Sequence, residues 1–346
     1  MREKGIKWHS TTAKMKISKI GEFGLIEKVI APEFKELVNA HLTGIGDDSS
    51  VIPVTQDKSQ LFTTDMLVEK THFLKDKIAP YQLGFKSLSV NLSDIAAMGG
   101  RPVASYLSMA LPKDTEVEWM EEFMRGYRDL SEDEDVPLLG GDTTSGESIV
   151  INVGVSGDID PSQIKRRSGG EAGDIVCLTG NIGDSAGGLQ VILDGLPEDQ
   201  VAKKLLDQHL TPYPHVSEGI WLAGHEAVHA MIDVSDGIGS DLKHILKASG
   251  LQGSIELEKL PISEELKQKA GTYEWNPWEM AISGGEDYVL LLTVDQAHFD
   301  QLSGAFEEEF ARPLYSIGKL SRGEPRIVYL KDQQEVEDLS EGYTHF

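Results

Sequence analysis

The sequence predicts an α/β protein built in two halves, and three observations carry that expectation. Apolar or β-branched runs alternate with helix-period runs along most of the 346 residues. A polar stretch from Asp158 to Gly173, with Lys165-Arg166-Arg167 inside it, interrupts the alternation near the middle. Acidic residues recur in short Gly/Ser/Thr turns, most of them after an apolar run: Gly44-Ile45-Gly46-Asp47-Asp48, Thr63-Thr64-Asp65, Asn91-Leu92-Ser93-Asp94, Gly140-Gly141-Asp142-Thr143-Thr144 and Asp233-Val234-Ser235-Asp236-Gly237. Carboxylates at strand ends point where ligands collect in α/β folds. The expected division is an N-terminal extension over 1–20, a first domain over 21–160 and a second over 161–346.

The elements follow in chain order. Residues 51–55 and 60–68 flank Gln56-Asp57-Lys58-Ser59 and predict a strand pair with a polar turn. Residues 80–98 predict a helix with Phe85, Leu88, Leu92 and Ile95 on one face. Ser87, Asn91 and Asp94 share a neighbouring face, so this helix would present Asp94 to a site. Gly99-Gly100 and Pro102 end it. A strand is expected at 103–111 and a helix with acid-rich first turns at 114–130. Strands at 136–139 and 148–156 would surround a Gly-Gly-Asp turn. In the second half, strands are expected at 174–179, 230–234, 253–257, 287–294 and 314–320. Helices are expected at 184–194, 199–209, 215–229, 238–249 and 296–311.

Composition narrows the function. The chain is 40% hydrophobic, enough for a sizeable core, and carries 57 acids against 32 bases for a formal net charge of −25. That balance disfavours nucleic acid as a partner, since phosphate backbones need basic surfaces. No apolar stretch reaches about 18 residues, so no membrane span is expected. The first twenty residues carry six bases and no apolar h-region, which excludes a secretory signal and makes the cytoplasm the expected compartment. The single cysteine, Cys177, lies in the apolar run Asp174-Ile175-Val176-Cys177-Leu178 and reads as a buried strand residue.

The motifs point to phosphate chemistry of an unusual kind. No Gly-x-x-x-x-Gly-Lys-Ser/Thr loop is present, nor a kinase His-Arg-Asp or Asp-Phe-Gly set. The Gly-rich Asn181–Gly188 segment follows a strand and opens a helix, where backbone N–H groups could hold a phosphate. Ser283-Gly284-Gly285-Glu286-Asp287 reads as a tight turn with two turn acids. The ten histidines offer no His-x-x-x-His pair on a metal-like face, so zinc is not expected; His72, near Asp65, is the one to mark. Several converging carboxylates cannot all ionise beside one another without cations. Hard oxygen donors suit Mg²⁺, which keeps waters and substrate phosphates in its shell. Thr63 and Thr64 add oxygens beside Asp65. Arg167 could hold a phosphate bidentately, or be a surface arginine.

Taken together these segments carry a family pattern. Gly21-Glu22-Phe23-Gly24-Leu25-Ile26, Gly44–Asp48, Thr64-Asp65-Met66-Leu67-Val68, Lys86–Gly99, Gly140–Thr143, Thr179–Ala186, Ser235-Asp236-Gly237 and Ser283–Tyr288 together resemble the thiamine-monophosphate kinases. The ending Glu341-Gly342-Tyr343-Thr344-His345-Phe346 is similar to that family's, and the resemblance runs from about residue 20 to the C-terminus. It implies an α/β (α+β), two-domain aminoimidazole ribonucleotide synthetase-like fold that pairs through its N-terminal domains into a homodimer, with the nucleotide near that interface. It implies ATP-dependent phosphorylation of thiamine monophosphate to thiamine diphosphate, the last step of thiamine diphosphate biosynthesis, assisted by several Mg²⁺ ions.

Carried over by position, the resemblance makes Asp48, Thr63, Thr64, Asp65, Asp94, Asp142, Asp233 and Asp236 the Mg²⁺ ligands. Gly141, Asp142, Arg167 and Ser235 become ATP contacts, and His72, Glu286 and Tyr343 contacts to thiamine monophosphate. Position 63 is often Ser in the family; Thr keeps the oxygen and adds a methyl. The acceptor phosphate is already anionic, so no strong general base is needed and a direct in-line transfer without a phosphoenzyme is expected. Rival readings are a selenophosphate synthetase, a hydrogenase maturation factor, an aminoimidazole ribonucleotide synthetase, or a non-catalytic metal-binding sensor of thiamine compounds. The first usually carries a catalytic Cys or selenocysteine near its N-terminus and the second ends in a cysteine tail. This chain has Cys177 alone and ends His345-Phe346.

Overall fold

A computed structural model of the chain describes residues 16–34 and 42–336. Residues 16–34 carry a 3-10 turn at Ile17–Lys19, helix α1 at Gly21–Leu25, a π-helical stretch at Ile26–Ile30 and helix α2 at Ala31–Phe34.

From residue 42 the first half places β1 (Ser50–Pro53), β2 (Ser59–Val68), α3 (Pro80–Ala97), β3 (Arg101–Leu111), α4 (Val117–Asp133), β4 (Leu138–Ser145) and β5 (Val150–Ile159) in chain order. The five strands form one sheet in the order β1-β2-β5-β3-β4, antiparallel except for the parallel β3–β4 edge. Successive side chains of a strand face opposite ways. Leu61, Thr63 and Leu67 of β2 turn inward and are buried, whereas Phe62, Thr64 and Met66 turn out and are exposed. Helix α3 covers the inner face. Pro80 starts it, Gln82 Oε1 accepts from Ala79 N at 3.0 Å, and Gly99 at φ +78° follows its end. Helix α4 lies against α3 with Phe123, Tyr127 and Leu130 buried.

The second half continues with β6 (Ile175–Leu178), α5 (Asp184–Asp194), α6 (Gln200–Leu210), α7 (Val216–Ala223), β7 (Val228–Asp233), α8 (Ile238–Ser249) and β8 (Gln252–Glu256). It ends with α9 (Glu264–Tyr273), α10 (Pro277–Ser283), β9 (Leu290–Val294), α11 (Phe299–Phe310), β10 (Tyr315–Ser321), β11 (Ile327–Lys331) and β12 (Gln334–Val336). Its seven strands form a second sheet in the order β12-β11-β8-β10-β6-β9-β7, with β8–β11 the parallel pair. Helix α3 is tied to this half by side-chain bonds. Lys86 Nζ donates to the His209 carbonyl at 2.9 Å, Ser89 Oγ to the Pro212 carbonyl at 2.6 Å and Ser93 Oγ to Asp233 at 2.7 Å. Lys165, between the sheets in sequence, spends its buried ammonium on the carbonyls of His225 and Val228, both at 2.9 Å.

The mixed α/β architecture agrees with the sequence; several elements differ. Gly140-Gly141-Asp142 is not a turn but the middle of β4, an exposed edge strand. Two adjacent glycines disguised it, because glycine is a poor strand former. The expected helix 215–229 stops at Ala223, where Gly224 follows and β7 begins at Val228. Helices α9 and α10 and strands β11 and β12 escaped the sequence reading; α9 is too polar to display a clear apolar stripe, and the β12 strand has three residues. Cys177 is buried in β6 as expected. Among the described residues no helix is long and apolar enough to cross a membrane.

The α3–α4 contact depends on two glycines. A Cβ at Gly84 would lie 1.9 Å from the Phe123 carbonyl oxygen, and one at Gly126 would lie 1.9 Å from that of Tyr81. Gly126→Ala should therefore cost about 1–3 kcal/mol, the usual range for overpacking, read as a lower urea midpoint with unchanged slope.

Candidate active site

Helix α3 runs between the two sheets and carries Asp94 near its C-terminal end. Asp233 is the last residue of β7, and Asp48 lies just before β1. One oxygen from each of Asp48, Asp94 and Asp233 lies within 4.8 Å of the other two. The inner face of β2 adds Thr63, whose hydroxyl donates to Asp94 Oδ2. Asp65, on the same face, is held by its backbone N–H donating to Asn91 Oδ1 at 2.9 Å. Asn91, one of the polar residues picked out on α3, thus fixes the strand that brings Asp65.

The paired acids Asp47 and Asp48 have separate tasks. Asp47 accepts from the Arg167 backbone N–H at 2.8 Å and from Arg166 Nη1 at 3.3 Å, anchoring the Arg166-Arg167 segment. Asp48 Oδ1 takes the Arg167 guanidinium, with Nη2 at 2.6 Å. Asp48 Oδ2 is buried and has no hydrogen-bond partner. A buried, unpaired carboxylate oxygen is costly unless something positive meets it.

Electrostatics agree with the geometry. Burial pushes the Asp233 carboxyl up to about 8, with the charges of Asp48 and Asp65 adding to it. Burial also holds Asp94 well above the usual carboxylate range, reinforced by Asp65, Asp233 and Asp48. Asp48 is raised by burial, though Arg167 works in the opposite direction. Arg167 remains firmly protonated, because Asp48 outweighs the cost of its burial. One guanidinium is too little positive charge for this many acids. The donors are all oxygen, converge, and include an orphaned buried atom, so they fit a hard divalent cation such as Mg²⁺.

A second cluster lies beyond β7. Glu286 N–H donates to the Ser235 carbonyl at 2.7 Å and Tyr288 N–H to that of Val234 at 2.8 Å, which stitches the Glu286 loop to the Ser235-Asp236 loop. Gly237, at φ +95°, makes this possible: a Cβ there would lie 2.6 Å from the Ile282 carbonyl oxygen. Glu286 and Tyr288 both adopt positive φ, 63° and 51°, a conformation that costs non-glycine residues energy and clusters at functional sites. The Glu286 carboxylate lies 3.1 Å from Lys86 Nζ and 3.3 Å from His209 Nδ1. His72 is close enough for its charge to help lower the Glu286 pKa.

Comparison with known proteins decides the family. Residues 46–159 match the family model for AIR synthase related protein, N-terminal domain, and residues 171–331 match its C-terminal counterpart. Thiamine-monophosphate kinase of Buchnera aphidicola (subsp. Schizaphis graminum) is 35% identical over 327 residues, covering 94% of this chain and 98% of that protein. The Escherichia coli K12 enzyme of the same name is 35% identical over 328 residues, with 94% and 98% covered. The chain belongs to the thiamine-monophosphate kinase family. A solved structure of AaThiL complexed with AMPPCP and TMP superposes with a TM-score of 0.84 at 33% identity, covering 97% of this chain and 100% of that one.

Not every residue carried over from the kinase family meets the buried triad. The β2–β5–β3–β4 register aligns Met66, Asn152, Ser108 and Asp142 in one row, on the outer face of the sheet. Thr64 also points outward, and its hydroxyl accepts from Asn152 Nδ2 at 2.9 Å. The side chains of Thr64 and Asp142 are therefore on the opposite side of the sheet from Thr63 and Asp65, because strand alternation has a period of two. Gly141 occupies the row of Asp65 and Leu107, where a Cβ would lie 1.7 Å from the Leu107 carbonyl oxygen. Tyr343 lies outside the described residues.

Other sequence readings are corrected. In the Gly-rich Asn181–Gly188 turn, two of the N–H groups that a phosphate would use are already taken: Asp287 accepts from Gly183 N–H at 2.7 Å and Ser185 N–H at 3.2 Å. Asp287 thus caps α5 while its neighbour Glu286 faces the Lys86 side. His225-Glu226-Ala227-Val228-His229 does have four-residue histidine spacing, but it straddles the end of α7 and the start of β7. His229 Nδ1 there meets Asp174 at 2.9 Å. Asp241 was missed. It is buried, accepts from Asp236 N–H at 3.2 Å, and is raised well above the usual range by burial and then by Asp236 and Asp233. In sequence it looks like an ordinary first-turn helix acid.

The raised acids imply a pH dependence. Asp233 titrates at about 8 in the fold against an ordinary 3.8, so between those values the folded chain holds a proton that the unfolded chain has released. Without divalent cation, the Asp233 contribution should make unfolding free energy fall as pH rises from 3.8 towards 8. Urea titrations in chelator should show this slope, and Asp233→Asn should reduce it.

Proposed function

We propose that this chain transfers the γ-phosphoryl group of ATP to the phosphate of thiamine monophosphate, giving thiamine diphosphate and ADP. The observation that carries the reading is the convergence of Asp48, Asp94 and Asp233, with one Asp48 oxygen buried and unpartnered, in a member of this kinase family. The match to AaThiL complexed with AMPPCP, a non-hydrolysable ATP analogue, and TMP supports the pair of substrates.

The triad with Thr63, Asp65 and Asp236 would hold Mg²⁺; Thr64 and Asp142 keep a Mg²⁺ role in this reading at a separate position, since their side chains lie across the sheet from the triad. Bound there, the metal supplies positive charge that screens two anionic phosphates from each other. Arg167, now on Asp48, would in this reading extend the same service to ATP phosphate oxygens as a bidentate donor. Gly141, Asp142 and Ser235 complete the ATP contacts in this reading. His72, Glu286 and Tyr343 take thiamine monophosphate; a carboxylate and an aromatic ring suit a cationic thiazolium. The transfer is direct. The acceptor phosphate needs no strong base, and Cys177 is buried with its thiol pushed up by that burial, so it is no nucleophile.

The functional unit in this reading is a homodimer in the cytoplasm, where ATP is supplied. Its support is the outer face of the five-stranded sheet, which exposes Ile52, Phe62, Met66 and Tyr106 together. A contiguous apolar face of that kind is a typical subunit contact. Pairing over it would also cover Thr64 and Asp142. Replacing Phe62 and Met66 with Asp should halve the mass seen by light scattering.

The direct assay is incubation with ATP, Mg²⁺ and thiamine monophosphate, followed by chromatography. Equimolar thiamine diphosphate and ADP are expected; ADP without thiamine diphosphate, or no turnover by folded protein, refutes the proposal. Asp65→Asn and Asp142→Asn should each lower kcat by about 100-fold or more, as expected for transition-state charge stabilisation, with unchanged melting in chelator.

A further inference from the structure

Lys86 is a cation in a place that packing alone does not require. Its side chain is 1% exposed, and its Nζ lies 3.1 Å from Glu286 Oε1 and 2.9 Å from the His209 carbonyl oxygen. The other Glu286 oxygen faces His209 Nδ1 at 3.3 Å, and that nitrogen is 3.0 Å from Ser185 Oγ. Burial, followed by the charge of Lys86, pushes His209 down to about 3, so its ring is neutral near neutral pH. Burial acts to raise Glu286, yet its carboxyl is held below the ordinary range, with Lys86 the largest opposing influence. The Glu286 side chain is 25% exposed, so the open side of this pair belongs to the carboxylate. Its positive φ of 63° fixes the direction from which it enters.

A buried ion pair seldom stabilises a fold more than apolar residues of similar size. The tie to the His209 carbonyl accounts for a donor at this position but not for a full charge; an oriented carboxylate accounts for the charge. Lys86 and Asp94 are eight residues apart on α3, about 12 Å along its axis. One rigid helix thereby spaces the Glu286 cluster from the carboxylate triad.

We propose that Lys86 is a positioning residue for the acceptor: its buried ammonium keeps Glu286 an oriented carboxylate, ready to receive the cationic, nitrogen-rich rings of the thiamine moiety. The inference rests on the reading that Glu286 meets the acceptor. The proposed role is indirect; Lys86 acts through Glu286 and leaves ATP binding alone.

The test is a kinetic double-mutant cycle with Lys86→Met, Glu286→Gln and the double variant. Lys86→Met should raise KM for thiamine monophosphate by about 10-fold or more, the scale of a charge-assisted hydrogen bond, and leave KM for ATP within about 2-fold. The double variant should match Glu286→Gln alone. An unchanged KM for thiamine monophosphate in Lys86→Met, or equal rises in both KM values, overturns the proposal. So does a double variant about 10-fold worse than Glu286→Gln. If Lys86→Met does not fold because it strands a buried carboxylate, the double variant, which removes both charges, decides between these outcomes. Failure of the reading beneath it looks different: Glu286→Gln itself would leave KM for thiamine monophosphate unchanged, or wild-type protein would make no thiamine diphosphate.

Discussion

The structure depends on burying a helix that is not apolar. Thirteen residues of α3 are buried, and they include Lys86, Ser87, Ser89, Asn91 and Ser93. Polar groups taken out of water need partners, and these find them on both sides. Asn91 serves β2, while Lys86, Ser89 and Ser93 bond to the second half of the chain. The helix is thus both the core of the first sheet's inner face and the contact to β7. Loss of the second half would leave the donors of Lys86, Ser89 and Ser93 unsatisfied at once, each costing about 1–3 kcal/mol.

Two acidic clusters grow from that helix and are neutralised differently. Around Asp94, acids outnumber the single Arg167, and burial together with mutual repulsion drives their pKa values up. Around Glu286, Lys86 supplies a matched cation and the carboxyl stays low. The first arrangement suits ions that arrive with phosphates. The second suits a fixed charge that must be present before any ligand comes. The physical contrast separates the phosphate end of the proposed reaction from the ring end.

The five-stranded sheet divides the oxygen donors. Thr63 and Asp65 turn towards α3; Thr64 and Asp142 turn to the outer, partly apolar face. This follows from the two-residue period of a strand and needs no special sequence device. It gives the exposed face a polar content, Asn152, Ser108 and Asp142, beside its exposed Phe62 and Met66.

The sequence by itself determined the alternating elements, the strand pair β1–β2, the limits of α5 and α8, the helix that carries Asp94, and the acid-bearing segments at Asp48 and Asp233. Each of these rests on local period, turn chemistry or a glycine stop, which neighbouring residues carry among themselves. The choice of Asp48 over Asp47 as a member of the triad became physical only in three dimensions, since adjacent acids differ in what they face. The opposite facing of Thr63 and Thr64 needed only the strand, but the consequence needed the register of β2, β5, β3 and β4. Only tertiary structure decided that Asp287 caps α5, that Asp241 lies beneath Asp236, and that Lys86 meets Glu286. Those partners are distant in sequence or hidden behind ordinary local roles. Burial and charge at a site are properties of all the elements that converge there, and no single segment records them.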